Sequence, residues 1–197
     1  YEQKGSWKNN LTLPASWTYY GFDFPIYTNV DMPWQGEKVQ SPMCAVDYNP
    51  VGMYRKNFKV NPGLVQSGGR INISFQGVES CYYVYINGQE VGYSEDSYSP
   101  HSFDITDYLY KNSDGSIDTN ANNLLAVEVH KFCDGTWMED QDFLYDGGIF
   151  RDVYMYATPL IHLEDYFINV DLDDNYKDAT LTLKDVKVSN YSTSDIA

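Results

Sequence analysis

The sequence predicts an all-β protein, an antiparallel sandwich or barrel, from three observations. Apolar residues alternate with polar ones along several short segments, which is the pattern of strands buried on one face. Turn-forming residues separate these segments at short intervals, as they do between antiparallel strands. No segment has the sustained apolar spacing of an amphipathic helix.

The predicted strands follow one another along the first three quarters of the chain. They lie within residues 54–60, 71–75, 82–86, 125–129 and 149–155. The third of these runs directly into Asn87 and Gly88, a pair that favours a tight hairpin because both turn positions need a positive φ. We therefore expect a hairpin at this point.

A domain boundary is expected near residues 157–159. Two further strand-like stretches follow it, at 163–172 and 179–188, with a polar turn between them. Two strands cannot bury a core of their own. Residues 1–157 are therefore expected to form one domain, and residues 158–197 to begin a second domain that this chain leaves incomplete.

The charge and cysteine content narrow the classes of function. The formal net charge of −15 makes nucleic acid and anionic membranes poor partners, whereas a neutral carbohydrate is compatible with it. The aromatic content of 16% fits either strand preference or sugar binding, and composition alone favours strand preference. Cys44, Cys81 and Cys133 lack the close spacing of a disulfide framework or a structural zinc site, so neither is expected.

The densest mixture of acidic and aromatic residues lies between two predicted strands, at residues 134–148. It contains Trp137, Glu139, Asp140 and Asp142. Long loops of this kind often carry function. A carboxylate can accept hydrogen bonds from sugar hydroxyls and an aromatic ring can cover an apolar sugar face. From the residues alone, a sugar-binding loop and a solvated acidic loop are equally compatible, and a glycosidase carboxylate pair is disfavoured because an acidic cluster is not specific for catalysis.

Four segments, at 21–30, 49–55, 75–106 and 139–153, carry a specific combination of motifs in a specific order. The last begins with Glu139-Asp140-Gln141-Asp142. Together they resemble the amino-terminal sugar-binding domain of glycoside hydrolase family 2, and residues 93–97 are more similar to the β-galactosidase branch than to the glucuronidases and mannosidases. The resemblance covers roughly residues 11–157.

The resemblance implies a jelly-roll β-sandwich like that of galactose-binding domains, then an immunoglobulin-like sandwich, of which this chain holds the first strands, and then a catalytic (β/α) barrel. In the family, both glutamates of the retaining double displacement and the magnesium ligands lie on the barrel. No catalytic residue or cofactor is therefore expected in this chain, which should be inactive alone. The implied partners are a β-galactoside substrate, the downstream barrel and, in a homo-oligomer, further copies of the parent enzyme.

The resemblance also assigns two candidate site residues. Asp142 matches a family aspartate that contacts the galactosyl group and, in some members, a sodium ion. Asn29 matches a family asparagine that contacts the sugar in the same pocket. Trp137, Glu139 and Asp140 are weaker candidates. The alternative roles are a loop-ordering carboxylate for Asp142 and a turn residue for Asn29.

Two other functions stay open at this point. An autonomous carbohydrate-binding module would bind sugar without a barrel, although two contact residues make only half a site. A purely structural or oligomerisation domain would place no side chain in a sugar pocket.

Overall fold

The computed structural model describes residues 11–34, 36–66, 68–139 and 141–192. Within these ranges, one short α-helix, α1 (Pro62–Val65), and three 3-10 helices, Trp17–Tyr20, Thr106–Tyr108 and Asp134–Trp137, lie among the strands. None of the described helices is long and apolar enough to cross a membrane. The strands in chain order are β1 (Ala15–Ser16), β2 (Ile26–Thr28), β3 (Val51–Phe58), β4 (Arg70–Phe75), β5 (Val78–Glu79), β6 (Cys81–Ile86), β7 (Gln89–Ser94), β8 (His101–Asp104), β9 (Asn123–His130), β10 (Phe143–Tyr145), β11 (Gly148–Ile149), β12 (Val153–Thr158), β13 (Ile161–Leu172) and β14 (Ala179–Asn190).

Two antiparallel sheets form the body of the protein. One has the strand order β3-β9-β6-β7 and the other the order β12-β4-β8. A small third sheet has the order β1-β11-β5, and β10 pairs with β2. The predicted all-β jelly-roll sandwich is confirmed.

The main core lies between the two larger sheets, and strand alternation builds it. Ile71, Ile73 and Phe75 point inward from β4, whereas Val84 and Ile86 point inward from β6. These five side chains are at most 3% exposed. Burial of each stabilises the fold by about 1.5–3 kcal/mol relative to exposure, which makes this apolar layer the main source of stability.

The expected hairpin is confirmed, because β6 and β7 are joined by Asn87 and Gly88, whose φ angles are 52° and 81°. The expected continuous strand at 149–155 is wrong. The chain leaves β11 at Ile149, which pairs with β1 and β5, and enters β12 at Val153, which pairs with β4. Arg151 lies in the gap, where its Nη1 donates to the Tyr98 carbonyl oxygen at 2.6 Å.

The last two strands form a long hairpin, in which β13 and β14 pair with each other. Many of its apolar side chains are exposed, including Phe167 at 58% and Leu181 at 62%. The division into a domain at 1–157 and the start of an immunoglobulin-like domain at 158–197 stays a prediction.

Candidate functional site

The short ribbon of β2 and β10 brings the two principal candidates together. Phe143 pairs with Thr28 in this ribbon. Asn29 follows Thr28 and Asp142 precedes Phe143, so the antiparallel register continues to place Asn29 opposite Asp142. Both side chains are exposed. Residues 113 positions apart in the sequence thus share one end of a two-stranded ribbon.

The outward face of this ribbon mixes polar, aromatic and aliphatic side chains. Because side chains alternate between the two faces of a strand, Tyr27 lies on the same face as Asn29, and Leu144 on the same face as Asp142. Tyr27 is 58% exposed, and its hydroxyl donates to Asp142 Oδ1 at 2.6 Å. This hydrogen bond raises the pKa of the Tyr27 phenol. It also holds the Asp142 carboxylate over the ribbon.

The inward face of the ribbon rests on a second group of apolar side chains, which we call the loop cluster. Its rings pack edge to face, with the Trp34 and Phe132 centroids 5.2 Å apart and the Phe132 and Tyr145 centroids 6.1 Å apart. The loop cluster therefore supports the ribbon that carries the candidate site. Its buried members are Ile26, Trp34, Ala45, Phe132 and Tyr145.

A buried ion pair ties the segment before β2 to the end of β9. Lys131 Nζ lies 2.6 Å from Asp23 Oδ2, and the two side chains are 0% and 7% exposed. Lys131 also donates to the Phe24 carbonyl oxygen at 2.9 Å, while Tyr48 and Trp17 donate to the Asp23 carboxylate. Burial acts to raise the pKa of Asp23, but the hydrogen bonds from Lys131 and Tyr48 outweigh it and hold the pKa below its ordinary value.

Glu79 binds the end of the acidic and aromatic loop at residues 134–148, which we call the long loop. Its Oε2 accepts from the backbone N–H groups of Asp146 at 3.3 Å and Gly147 at 3.0 Å. Burial raises the pKa of Glu79 to about 7, although these two hydrogen bonds act in the opposite direction. Gly147 has a φ of 76°, and a Cβ there would collide with the Trp17 indole, so the turn that presents the loop requires glycine.

The weaker candidates occupy different places. Trp137 Nε1 donates to the Met43 carbonyl oxygen at 2.7 Å, and its ring lies 5.6 Å from that of Trp34, so it packs against the loop cluster. Glu139 accepts at 2.6 Å from both the backbone N–H and the hydroxyl of Ser97. These contacts tie Trp137 and Glu139 to neighbouring parts of the protein, and their role as weaker sugar-binding candidates stays a prediction. Asp140 lies outside the described residues.

Sequence reasoning missed the Lys131 and Glu79 anchors. Lys131 had a detectable signal, because it continues the inward series of Leu125, Val127 and Val129 with a charged residue. A charge in a buried register needs a partner. Glu79 lies in a two-residue strand, which is too short to show a pattern.

The same arrangement decides what Asp142 can offer to a sodium ion. Its Oδ1 is engaged by Tyr27, so Oδ2 is the oxygen that would face a hard cation. A carboxylate oxygen fits sodium chemistry, and a bound ion would need further oxygen ligands.

Comparison with known proteins gives the family. Residues 2–159 match the sugar-binding domain of the glycosyl hydrolases of family 2. The chain is 43% identical over 188 residues to a β-galactosidase of Priestia megaterium, covering 95% of this chain and 17% of that protein. It is 42% identical over 190 residues to a β-galactosidase of Clostridium acetobutylicum, covering 96% of this chain and 20% of that protein. The chain thus spans no more than 20% of the length of either relative.

Solved structures agree with this assignment. A β-glucuronidase of Bacteroides uniformis matches 69% of this chain with 16% of its own, at a TM-score of 0.57 and 27% identity. A β-glycosidase of Bacteroides vulgatus matches 93% of this chain with 21% of its own, at a TM-score of 0.60 and 23% identity, and shows the shared sandwich fold. The chain belongs to glycoside hydrolase family 2, in which residues 2–159 form the sugar-binding domain.

Proposed function

We propose that this chain is the sugar-binding part of a retaining β-galactosidase, which hydrolyses terminal β-galactose residues. The two relatives described above are named β-galactosidases. In this proposal the catalytic glutamates and the magnesium ligands belong to a barrel outside this chain. Asp142 and Asn29 contribute contacts to the galactosyl unit from the side of the sandwich.

The register of the β2–β10 ribbon carries the proposal. It supports an exposed carboxylate and an exposed amide at one ribbon end, above a rigid aromatic base. The Asp142 carboxylate can accept from sugar hydroxyls, whereas the Asn29 amide can both donate and accept. Tyr27 orients the carboxylate and offers an exposed ring to an apolar sugar face.

The partners and ions of the parent enzyme are part of the same proposal. Substrate would bind between the ribbon and the barrel, with sodium at Asp142 Oδ2. The parent enzyme would be a homo-oligomer. The acidic surface of this chain, with its net charge of −15, suits a neutral sugar better than an anionic one.

The test is an Asp142→Asn substitution in the full-length parent enzyme. Loss of a charged hydrogen-bond acceptor to the sugar costs about 1.5–3 kcal/mol, so kcat/KM for a nitrophenyl β-galactoside should fall roughly 10- to 100-fold. The matched control is Asp174→Asn, which changes an exposed aspartate in the β13–β14 turn and should leave kcat/KM unchanged.

Three results would contradict the proposal. Hydrolysis of the same substrate by this chain alone would place catalysis here. Unchanged turnover in Asp142→Asn would favour a structural or oligomerisation role. Saturable binding of galactose or lactose by this chain, well below millimolar in calorimetry, would favour an autonomous carbohydrate-binding module.

A further inference from the structure

A cleft runs along one side of the sandwich, between the edge strands of the two large sheets. Within the described part of the chain, β3 is the first strand of the order β3-β9-β6-β7, and β12 is the first strand of the order β12-β4-β8. The cleft between them has a volume of about 760 Å³. Ile73, Phe75 and Val127 line its floor and also belong to the main core. Two edge strands therefore flank a gap that leads to the main core.

The opposite side of the sandwich is closed. There β7 and β8 are the edge strands, and they approach each other closely, since a Cβ on Gly92 of β7 would lie 2.8 Å from the Phe103 ring of β8. Phe103 is 7% exposed. The same two sheets therefore meet along one side and stand apart along the other.

The walls of the cleft are mostly apolar, and its mouth is incompletely covered. Leu11, Leu13, Met53 and Tyr154 line the cleft, and each of them is between 37% and 51% exposed. Partly buried side chains of β3 and β12 lie deeper and contact the main core, namely Tyr54, Phe58, Val153 and Met155. Contiguous exposed apolar surface of this kind marks an interaction site.

The backbone of β3 suits an extended partner. β3 has eight residues, Val51–Phe58, and pairs with β9 along its whole length. Among the described residues, no strand pairs with its other edge. A long edge strand is a template for a further strand, and strand addition is a common mode of peptide recognition. An added strand would extend the four-stranded sheet and place every second side chain in the cleft.

The charges on β3 disfavour a second copy of this chain as the partner. Arg55 and Lys56 lie near the middle of the strand, and both are exposed. Two copies of β3 that paired antiparallel would bring these positive charges together, which is destabilising. The remainder of the parent protein is a better source. This chain covers no more than 20% of either β-galactosidase compared above, so most of each relative lies outside the matched region.

We infer that an extended segment of the parent enzyme, from outside residues 1–197, lies in this cleft and pairs with β3. Alternate apolar side chains of the segment would cover Tyr54 and Phe58 and would close this side of the sandwich. The segment would therefore be a short run of alternating apolar and polar residues. The inference rests on the proposed function only for the existence of a longer parent enzyme, and it does not depend on the sugar contacts of Asp142 and Asn29.

The first experiment compares backbone hydrogen exchange in the full-length parent enzyme and in the 197-residue chain, followed by mass spectrometry. The amides of β3 should exchange at least about 10-fold more slowly in the parent enzyme, because an added strand protects them. The matched control is β7, the other edge strand of the same sheet, whose amides should exchange equally in both proteins. Equal exchange of β3 in both proteins, or a slowing in β7 as large as in β3, would overturn the inference.

The second experiment identifies the segment. Phe58→p-benzoylphenylalanine places a photoreactive ring in the cleft of the parent enzyme, and irradiation should attach it to a peptide of the same polypeptide from outside residues 1–197. Oligomers assembled from isotope-labelled and unlabelled subunits should give no mixed cross-links. Tyr93→p-benzoylphenylalanine, on β7, is the control and should not capture that peptide. Capture of residues 1–10, capture of a peptide from a neighbouring subunit, or no capture at all would contradict the inference.

Discussion

The main core and the loop cluster are two apolar groups built by different means. The main core is made by strand alternation, with side chains such as Ile73 and Val84 facing each other from two sheets. The loop cluster is made mostly by residues outside the two large sheets, such as Trp34 and Phe132. Polar side chains such as Asn49 and Lys131 bond to the backbone of the loops beside the second group.

The bonds of Asn49 illustrate this difference. Its side chain donates to the Phe132 carbonyl oxygen and accepts from the Phe132 N–H, both at 3.0 Å, as a neighbouring strand would. Irregular backbone leaves N–H and C=O groups that must be satisfied individually. Burial of apolar area can specify the sandwich, but directional polar bonds must specify the loops that present the candidate site.

Lys131→Met is expected to lower the free energy of unfolding more than the other substitutions that test this comparison. It leaves Asp23 as a buried charge that has lost its cation, which costs about 3–5 kcal/mol. The free energy of unfolding should fall by that amount in urea titrations followed by circular dichroism. Tryptophan fluorescence, to which Trp34 and Trp137 contribute, should change at or below the same urea concentration, because the ion pair borders the loop cluster.

The control for this substitution is Lys184→Met, which changes an exposed lysine on β14. Its free energy of unfolding should stay within about 0.5 kcal/mol of the unsubstituted chain. An equally small effect in Lys131→Met would mean that the ion pair does not hold the loops, and the contrast between the two apolar groups would lose its physical basis.

A smaller effect is expected from Glu139→Ala. This change removes both acceptors of Ser97 and releases one side of the long loop, with a stability loss of about 1.5–3 kcal/mol. The measurement is again urea unfolding, with Glu90→Ala on the exposed edge of β7 as the control. Ser97→Ala, which keeps the backbone bond, should lose about 1 kcal/mol. If Glu139→Ala costs no more than the control, Glu139 does not support the loop.

The sequence predicted the regular part of this molecule well. The strands at 71–75 and 125–129 are visible because each is long enough to show alternation, and the strand at 82–86 is visible as a continuous run of strand-forming residues. The turn at Asn87 has local chemistry. The break at Arg151 was missed, because alternation continues across a change of sheet. Periodicity reports which face is buried and carries no information on the partner strand.

The candidate site was predictable in part, and by a different route. The pairing of Asn29 with Asp142 came from family resemblance, since β2 and β10 have three residues each and show no period. The pairing of β2 with β10 joins distant parts of the chain, and local propensity does not encode it.

The smallest expected effect is a pH dependence of the free energy of unfolding that arises from Glu79, the anchor of the long loop. Burial raises the pKa of Glu79 to about 7, whereas an unfolded glutamate titrates near its ordinary value of about 4.3. The folded state therefore keeps the Glu79 proton to higher pH than the unfolded state does. The resulting stability is fully present below the ordinary value and is lost as the pH rises through about 7.

Between pH 6 and pH 8 this loss amounts to about 1 kcal/mol. Glu79→Gln keeps an oxygen for the N–H groups of Asp146 and Gly147 but cannot titrate, so it should remove this part of the pH dependence. Urea unfolding of both proteins at pH 6, 7 and 8 measures the difference. If the free energy of unfolding changes equally with pH in both proteins, the titrating group is not Glu79. If the free energy of unfolding depends less on pH in Glu79→Gln, the anchor of the long loop titrates near neutral pH. The main core has no titrating group of this kind among its apolar side chains.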